Sequence, residues 1–137
     1  MVIVDSTVWV DYFNGQQNPH TDWLDAQLDR QRFGLTSIIL AEVLQGATSD
    51  RDARRLETEL LRLEVFENVS AAIAIAAGHN YRKLRALGLT PRKTIDTLIA
   101  TLCIESGHAL LHRDRDFDPF EQQLGLIVVH PSRTASR

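Results

Sequence analysis

The 137 residues carry 18 acidic and 15 basic side chains, a formal charge of −3, with 44% hydrophobic and 24% charged residues. This is the composition of one soluble globular domain large enough for a real core. No apolar run approaches the ~20 residues of a membrane span. The opening MVIVDSTVWV lacks the basic region and long apolar stretch of a secretory signal, and the single Cys103 excludes an internal disulfide, so a reducing cytoplasm is the expected compartment.

In chain order, Val2 to Val4 reads as a buried strand, followed by a short helix from about Thr7 to Phe13. NGQQNP is a loop, and Thr21 is placed to cap a helix ending near Arg30. Phe33 to Leu35 is a second strand, and Thr36 or Ser37 opens a helix through IILAEVLQG that stops at Gly46. Asp50 to Leu63 is a charged amphipathic helix, and Val65 to Phe66 a weak third strand. Ser70 opens an Ala-rich helix to about Leu87, stopped by Gly88, and Thr94 caps IDTLIATLCIESG, which ends at Gly107. Ala109 to Leu111 and Ile127 to Val129 supply the last strands, separated by a helix from Pro119 to Leu124. Short, uniformly apolar strands alternating with helices predict a parallel sheet covered on both faces, a three-layer α/β/α sandwich. The expected domain is 1–131, and the polar tail 132–137 is expected to fray.

In such sheets, ligand sites form beyond the carboxyl ends of the strands, near a switch in strand order. Asp5 stands there, directly after VIV; a capping role is the structural alternative, but Ser6 and Thr7 are equally able to cap. Glu42 shares a helix face with Ile38, Ile39 and Gly46, where a carboxylate is seldom buried without a partner. Asp96 lies in a first helical turn, which the helix dipole favours, yet it aligns with Ile99, Ala100 and Cys103 toward the sheet. Asp114 follows the fourth strand, in the position that Asp5 holds after the first. No single acid is persuasive; their shared address is. Oxygen donors without a matching Cys/His pattern select a hard cation, Mg²⁺ or Mn²⁺.

Other chemistries are poorly matched. The five histidines show no zinc spacing, and there is no phosphate loop, GxGxxG or GxSxG turn. DRDFDP imitates the opening of a calcium loop, but Pro119 and Gly125 occupy the sixth and twelfth positions, which excludes an EF-hand. His112 reads as a strand-end residue, and Cys103, Trp9 and Trp23 as packing groups. Residues 68–95 hold no acidic side chain but carry Arg82, Lys83, Arg85 and Arg92, with Lys93, as candidate phosphate contacts; Arg113 and Arg115 are weaker candidates.

Four stretches, VIVDSTVWVDYF, LTSIILAEVLQG, TIDTLIATLCIESG and LLHRDRDFDPF, make the chain resemble the PIN-domain family, and within it the VapC-type toxin ribonucleases. Each is weak alone, but together they stand in the family's order and spacing. The resemblance implies a Rossmann-like parallel sheet and four acidic positions, matched by Asp5, Glu42, Asp96 and Asp114. It implies that Thr7 helps hold water at the site and that Asp116 joins a second metal or its water shell. Ser6-Thr7 stands where Thr-Ser is commoner, and both orders keep a hydroxyl.

The implied activity is Mg²⁺- or Mn²⁺-dependent hydrolysis of RNA phosphodiester bonds, with Asp5 and Asp96 as direct ligands and Asp114 completing the cluster. Glu42 is the group to orient or deprotonate the attacking water. The implied partners are single-stranded or loop RNA, a second copy of the chain and a small cognate antitoxin. Two other readings stay open: a PIN-like nuclease for RNA maturation or DNA flaps without an antitoxin, and a catalytically silent binding module. A phosphoacceptor receiver domain fits poorly, because Glu67-Asn68 and His130-Pro131 stand where its acceptor aspartate and lysine belong. Within DRDFDP, Asp118 before Pro119 is read as a helix cap.

Overall fold

The computed structural model describes residues 1–67 and 69–131; Asn68 and the expected tail 132–137 lie outside the described residues. A five-stranded, all-parallel sheet runs in the order β3-β2-β1-β4-β5, from β1 (Val2–Val4), β2 (Phe33–Thr36), β3 (Glu64–Phe66), β4 (Ala109–Leu111) and β5 (Ile127–Val128). Val2, Ile3 and Val4 are all buried, as are Leu110 and Leu111, so the central strands have apolar side chains on both faces. That dictates uniformly hydrophobic strands in place of alternating ones.

Among the described residues, seven helices connect and cover the strands: α1 (Ser6–Phe13), α2 (Pro19–Gln27), α3 (Ser37–Gln45), α4 (Asp50–Leu60), α5 (Ala71–Ala86), α6 (Thr94–Ser106) and α7 (Asp118–Leu124). The core joins Trp9, Leu24, Ile39, Leu60, Leu84, Ile99 and Phe120 around the sheet. α5 and α6 are pinned by a buried bond from Asn80 Nδ2 to Thr101 Oγ1 at 3.1 Å. Among the described residues, no helix is long and apolar enough to cross a membrane.

Three predicted helix starts move. α2 begins at Pro19, because Asn18 is its cap and accepts from the amides of His20 and Thr21. Thr21 instead accepts the Asn18 amide on its hydroxyl, the second half of a capping box. Lys93 stands at the cap position of α6 without a side-chain bond, so Thr94 is the first helical residue. Asp118 is likewise inside α7, because a 3-10 turn at Arg115–Phe117 leads straight into that helix. Ser49, Ser70 and Thr36 cap as their residue types dictate.

At Gly34 the sheet leaves no room for a side chain. A Cβ there would lie 2.9 Å from the Glu64 carbonyl oxygen and 2.9 Å from Met1 Sδ. The sulfur can move, but the carbonyl is fixed by β2–β3 pairing. Gly34→Ala is therefore expected to lower stability by about 1–3 kcal/mol, read from urea unfolding.

Candidate active site

Strand order reverses at β1, whose neighbours are β2 on one side and β4 on the other. A crevice opens at such a switch point beyond the strand ends. Asp5 leaves β1 there and is 3% exposed. Its Oδ2 accepts the Thr7 amide at 3.2 Å and the Thr7 hydroxyl at 2.7 Å. Asp5 is thus the cap of α1 as well as a candidate site carboxylate. Ser6 and Thr7 do not take the capping role, because Thr7 Oγ1 is spent on Asp5 and Ser6 Oγ donates to Glu42 Oε1 at 3.3 Å.

Asp114 does not repeat the position of Asp5. The register pairs Val4 with Leu111, so His112 is the residue opposite Asp5, and Asp114 lies two residues farther along the chain. Two local bonds fold it back. The Asp114 amide donates to His112 Nδ1 at 3.0 Å, and Asp114 Oδ1 accepts the Asp116 amide at 2.9 Å, starting the 3-10 turn. His112 is buried, which pushes its pKa down, and its Nδ1 lone pair is taken up by the Asp114 amide, so the imidazole serves as a strut for the turn.

That turn brings Asp114 and Asp116 to Asp96 at the start of α6. One oxygen from each of the three lies within 4.8 Å of the others. Asp96 is 6% exposed, and its buried Oδ2 has no hydrogen-bond partner among the described residues. An orphaned buried carboxylate oxygen is costly unless a cation or proton meets it. Burial, reinforced by Asp114, raises the Asp96 pKa to about 6, with Lys93 opposing the shift. Burial also raises Asp5, against the lowering bonds from Thr7, and raises Glu42, to which Asp5 adds repulsion.

The closed trio is therefore Asp96, Asp114 and Asp116. Asp5 and Glu42 act on it electrostatically: Asp5 raises Glu42 and Asp96, Glu42 raises Asp96, and Asp114 raises Asp5 and Glu42. The donor set is all oxygen, which suits Mg²⁺ or Mn²⁺. Among the basic candidates, Lys93 reaches the site electrostatically. Arg82 and Lys83 lie on the exposed face of α5, and Arg85 sits over the Tyr81 ring at 5.8 Å.

Beside the carboxylates is an open cleft of about 600 Å³, lined by Ser6, Thr7 and Glu42 together with Asp11 and Arg113. Ser6 and Asp11 were not among the site candidates of the sequence. One periodic signal points to Asp11: it lies four residues after Thr7, on the same face of α1. Ser6 carries no such signal, since its role depends on a glutamate 36 residues away.

The PIN domain model matches residues 2–121, the span that contains every one of these carboxylates. The chain belongs to the PIN-domain family. It is 35% identical over 121 residues to VapC ribonuclease Mb1587 of Mycobacterium bovis and to ribonuclease VapC11 of Mycobacterium tuberculosis, covering 86% of this chain and 90% of each relative. The PIN fold also superposes on VapBC2 of Rickettsia felis bound to a promoter DNA fragment, with a TM-score of 0.76 at 22% identity, covering 94% of this chain and 98% of that one. VapBC-1 of nontypeable Haemophilus influenzae gives a TM-score of 0.74 at 18% identity, covering 96% of this chain and 99% of that one.

Proposed function

We propose that this PIN domain is a Mg²⁺- or Mn²⁺-dependent endoribonuclease, the toxin of a VapBC-type toxin–antitoxin pair acting in the cytoplasm. The observation that carries the reading is the closed trio Asp96, Asp114 and Asp116 with its unpartnered buried Asp96 oxygen. Its sequence relatives named VapC ribonucleases support RNA as the substrate.

Asp96 and Asp114 would hold the ion, with Asp5 beside them and Asp116 as a further donor. When bound, a divalent ion supplies charge neutralisation at the phosphate and a lowered pKa for water. This chain's residues do the rest. Thr7 fixes the orientation of Asp5 through its hydroxyl. Glu42, steadied by Ser6 and with its pKa raised by burial and by Asp5, orients the attacking water and accepts its proton. The 3-10 turn keeps Asp114 and Asp116 within reach of Asp96. Lys93 and Arg113 offset the charge of the approaching backbone.

The solved VapBC complexes of the same fold support a small antitoxin as partner. A second copy of the chain is supported by an apolar groove of about 420 Å³ between α5 and α6, lined by Val69, Ala74, Tyr81 and Leu98. Purified protein should cleave single-stranded RNA in Mg²⁺ or Mn²⁺, and EDTA or Asp5→Asn should each stop it. Sequencing the cleavage ends would then identify the target. Cleavage that survives both treatments would sink the mechanism.

A further inference from the structure

Among the described residues, Arg113 is the one cation lining a cleft that is otherwise hydroxyl, carboxylate, amide and valine. It is held at both ends. Its backbone N–H donates to Thr7 Oγ1 at 3.1 Å, and its Nη1 pairs with Asp11 Oδ2. Asp11 in turn accepts from Asn18 Nδ2 at 3.3 Å, and Asn18 is anchored as the cap of α2. The Arg113 side chain nevertheless remains 42% exposed.

As a stabilising device this arrangement is poor, because an exposed ion pair returns little against the rotamer freedom it freezes. As a ligand seat it is well built. A guanidinium has five N–H donors in a planar fork that matches two phosphate oxygens, and Asp11 engages only Nη1 of it. Asp11 thus aims the fork without exhausting it. The other end of the residue sets the distance to the chemistry: the Thr7 hydroxyl that accepts the Arg113 amide donates to Asp5. A phosphate gripped by Arg113 is therefore indexed to the site carboxylates through two hydrogen bonds.

We propose that Arg113 is the seat for a backbone phosphate of the RNA neighbouring the cleaved bond, and that Asp11 is the positioning residue that aims it. This rests on the ribonuclease reading and extends it to a particular phosphate site. It also separates Arg113 from the basic residues of α5, which do not line this cleft.

The test uses a fluorescein-labelled pool of random-sequence, single-stranded 12-nucleotide RNA. Anisotropy in EDTA over a range of KCl concentrations reads affinity and salt slope, and cleavage in Mn²⁺ is read separately. Arg113→Ala is expected to weaken binding about tenfold and to flatten the salt slope by about 0.7, one single-strand phosphate contact. Mn²⁺ affinity should be unchanged. Arg113→Lys, which keeps the charge beside Asp11, should retain the slope and lose affinity severalfold, since an ammonium cannot grip two oxygens as a fork. Asp11→Asn gives the sharpest contrast: removing a negative charge should by itself tighten binding to a polyanion, whereas releasing the aimed arginine weakens it. Unchanged affinity and slope in Arg113→Ala, or tighter binding in Asp11→Asn, would overturn the assignment. Wild-type protein that binds the pool but cuts nothing in Mn²⁺ would sink the ribonuclease reading instead, and the binding comparisons would still decide the phosphate seat.

Discussion

Asp96→Asn is expected to reduce metal-dependent RNA cleavage by on the order of 10²–10³-fold. The substitution is nearly isosteric, so the volume filled by this 6% exposed side chain persists and only the charge is lost. Of the clustered acids, Asp96 combines the deepest burial in the trio with an oxygen that meets no donor. It is also where repulsion converges, since Asp114, Asp5 and Glu42 all raise its pKa. A cation placed there relieves every one of those repulsions at once. Two measurements check this: single-turnover cleavage at saturating Mn²⁺, and Mn²⁺ affinity by calorimetry. Both should fall together. Activity within about threefold of wild type would remove Asp96 from the machinery.

The same substitution should stabilise the metal-free fold at neutral pH. Linkage gives the sign. The Asp96 pKa is raised from 3.8 to about 6 on folding, so between those values the folded chain binds more protons than the unfolded one. Stability from this group is therefore full below about pH 4, is lost as pH rises through 6, and stays lost above it. One pKa unit corresponds to about 1.4 kcal/mol, which caps the effect near 3 kcal/mol; relaxation of the site places the expected gain at about 1–3 kcal/mol. Urea unfolding in EDTA should show Asp96→Asn more stable than wild type at pH 7.5, with the difference vanishing near pH 4. Adding Mn²⁺ should reverse the order, because only the wild type gains the ion's binding energy. A wild type that is the more stable in EDTA at pH 7.5 would mean that the orphaned carboxylate carries no penalty. Together the two results would show a site that costs stability and repays it in chemistry.

Much of the architecture was legible along the chain because it is written in local chemistry. Apolar triplets such as Val2 to Val4 and Ala109 to Leu111 fit a sheet buried on both faces, and Thr36, Ser49 and Ser70 each cap the helix that begins at the next residue. Helix starts failed where two polar residues compete for one cap. Asn18 and Thr21 both suit that role; with Pro19 at the first helical position, Asn18 takes the cap and Thr21 returns a bond to the Asn18 amide. Asp118 lost its role to a 3-10 turn whose cause is Asp114, four residues earlier.

For the candidate site, the sequence by itself nominated the acids and determined the element each stands on: Asp5 after β1, Glu42 on α3, Asp96 at the head of α6, and Asp114 and Asp116 beyond β4. Those rest on residue type and on periodicities that extend only a few residues. Tertiary structure alone decided which of them close on one another. The β1–β4 register sets His112 opposite Asp5 and leaves Asp114 to be folded back by the His112 ring and its own turn. It likewise decided that Asp11, 102 residues before Arg113, would aim that arginine into the cleft. Parallel pairing joins residues far apart in the chain through backbone hydrogen bonds that carry no side-chain signature, so no local pattern could encode those partnerships.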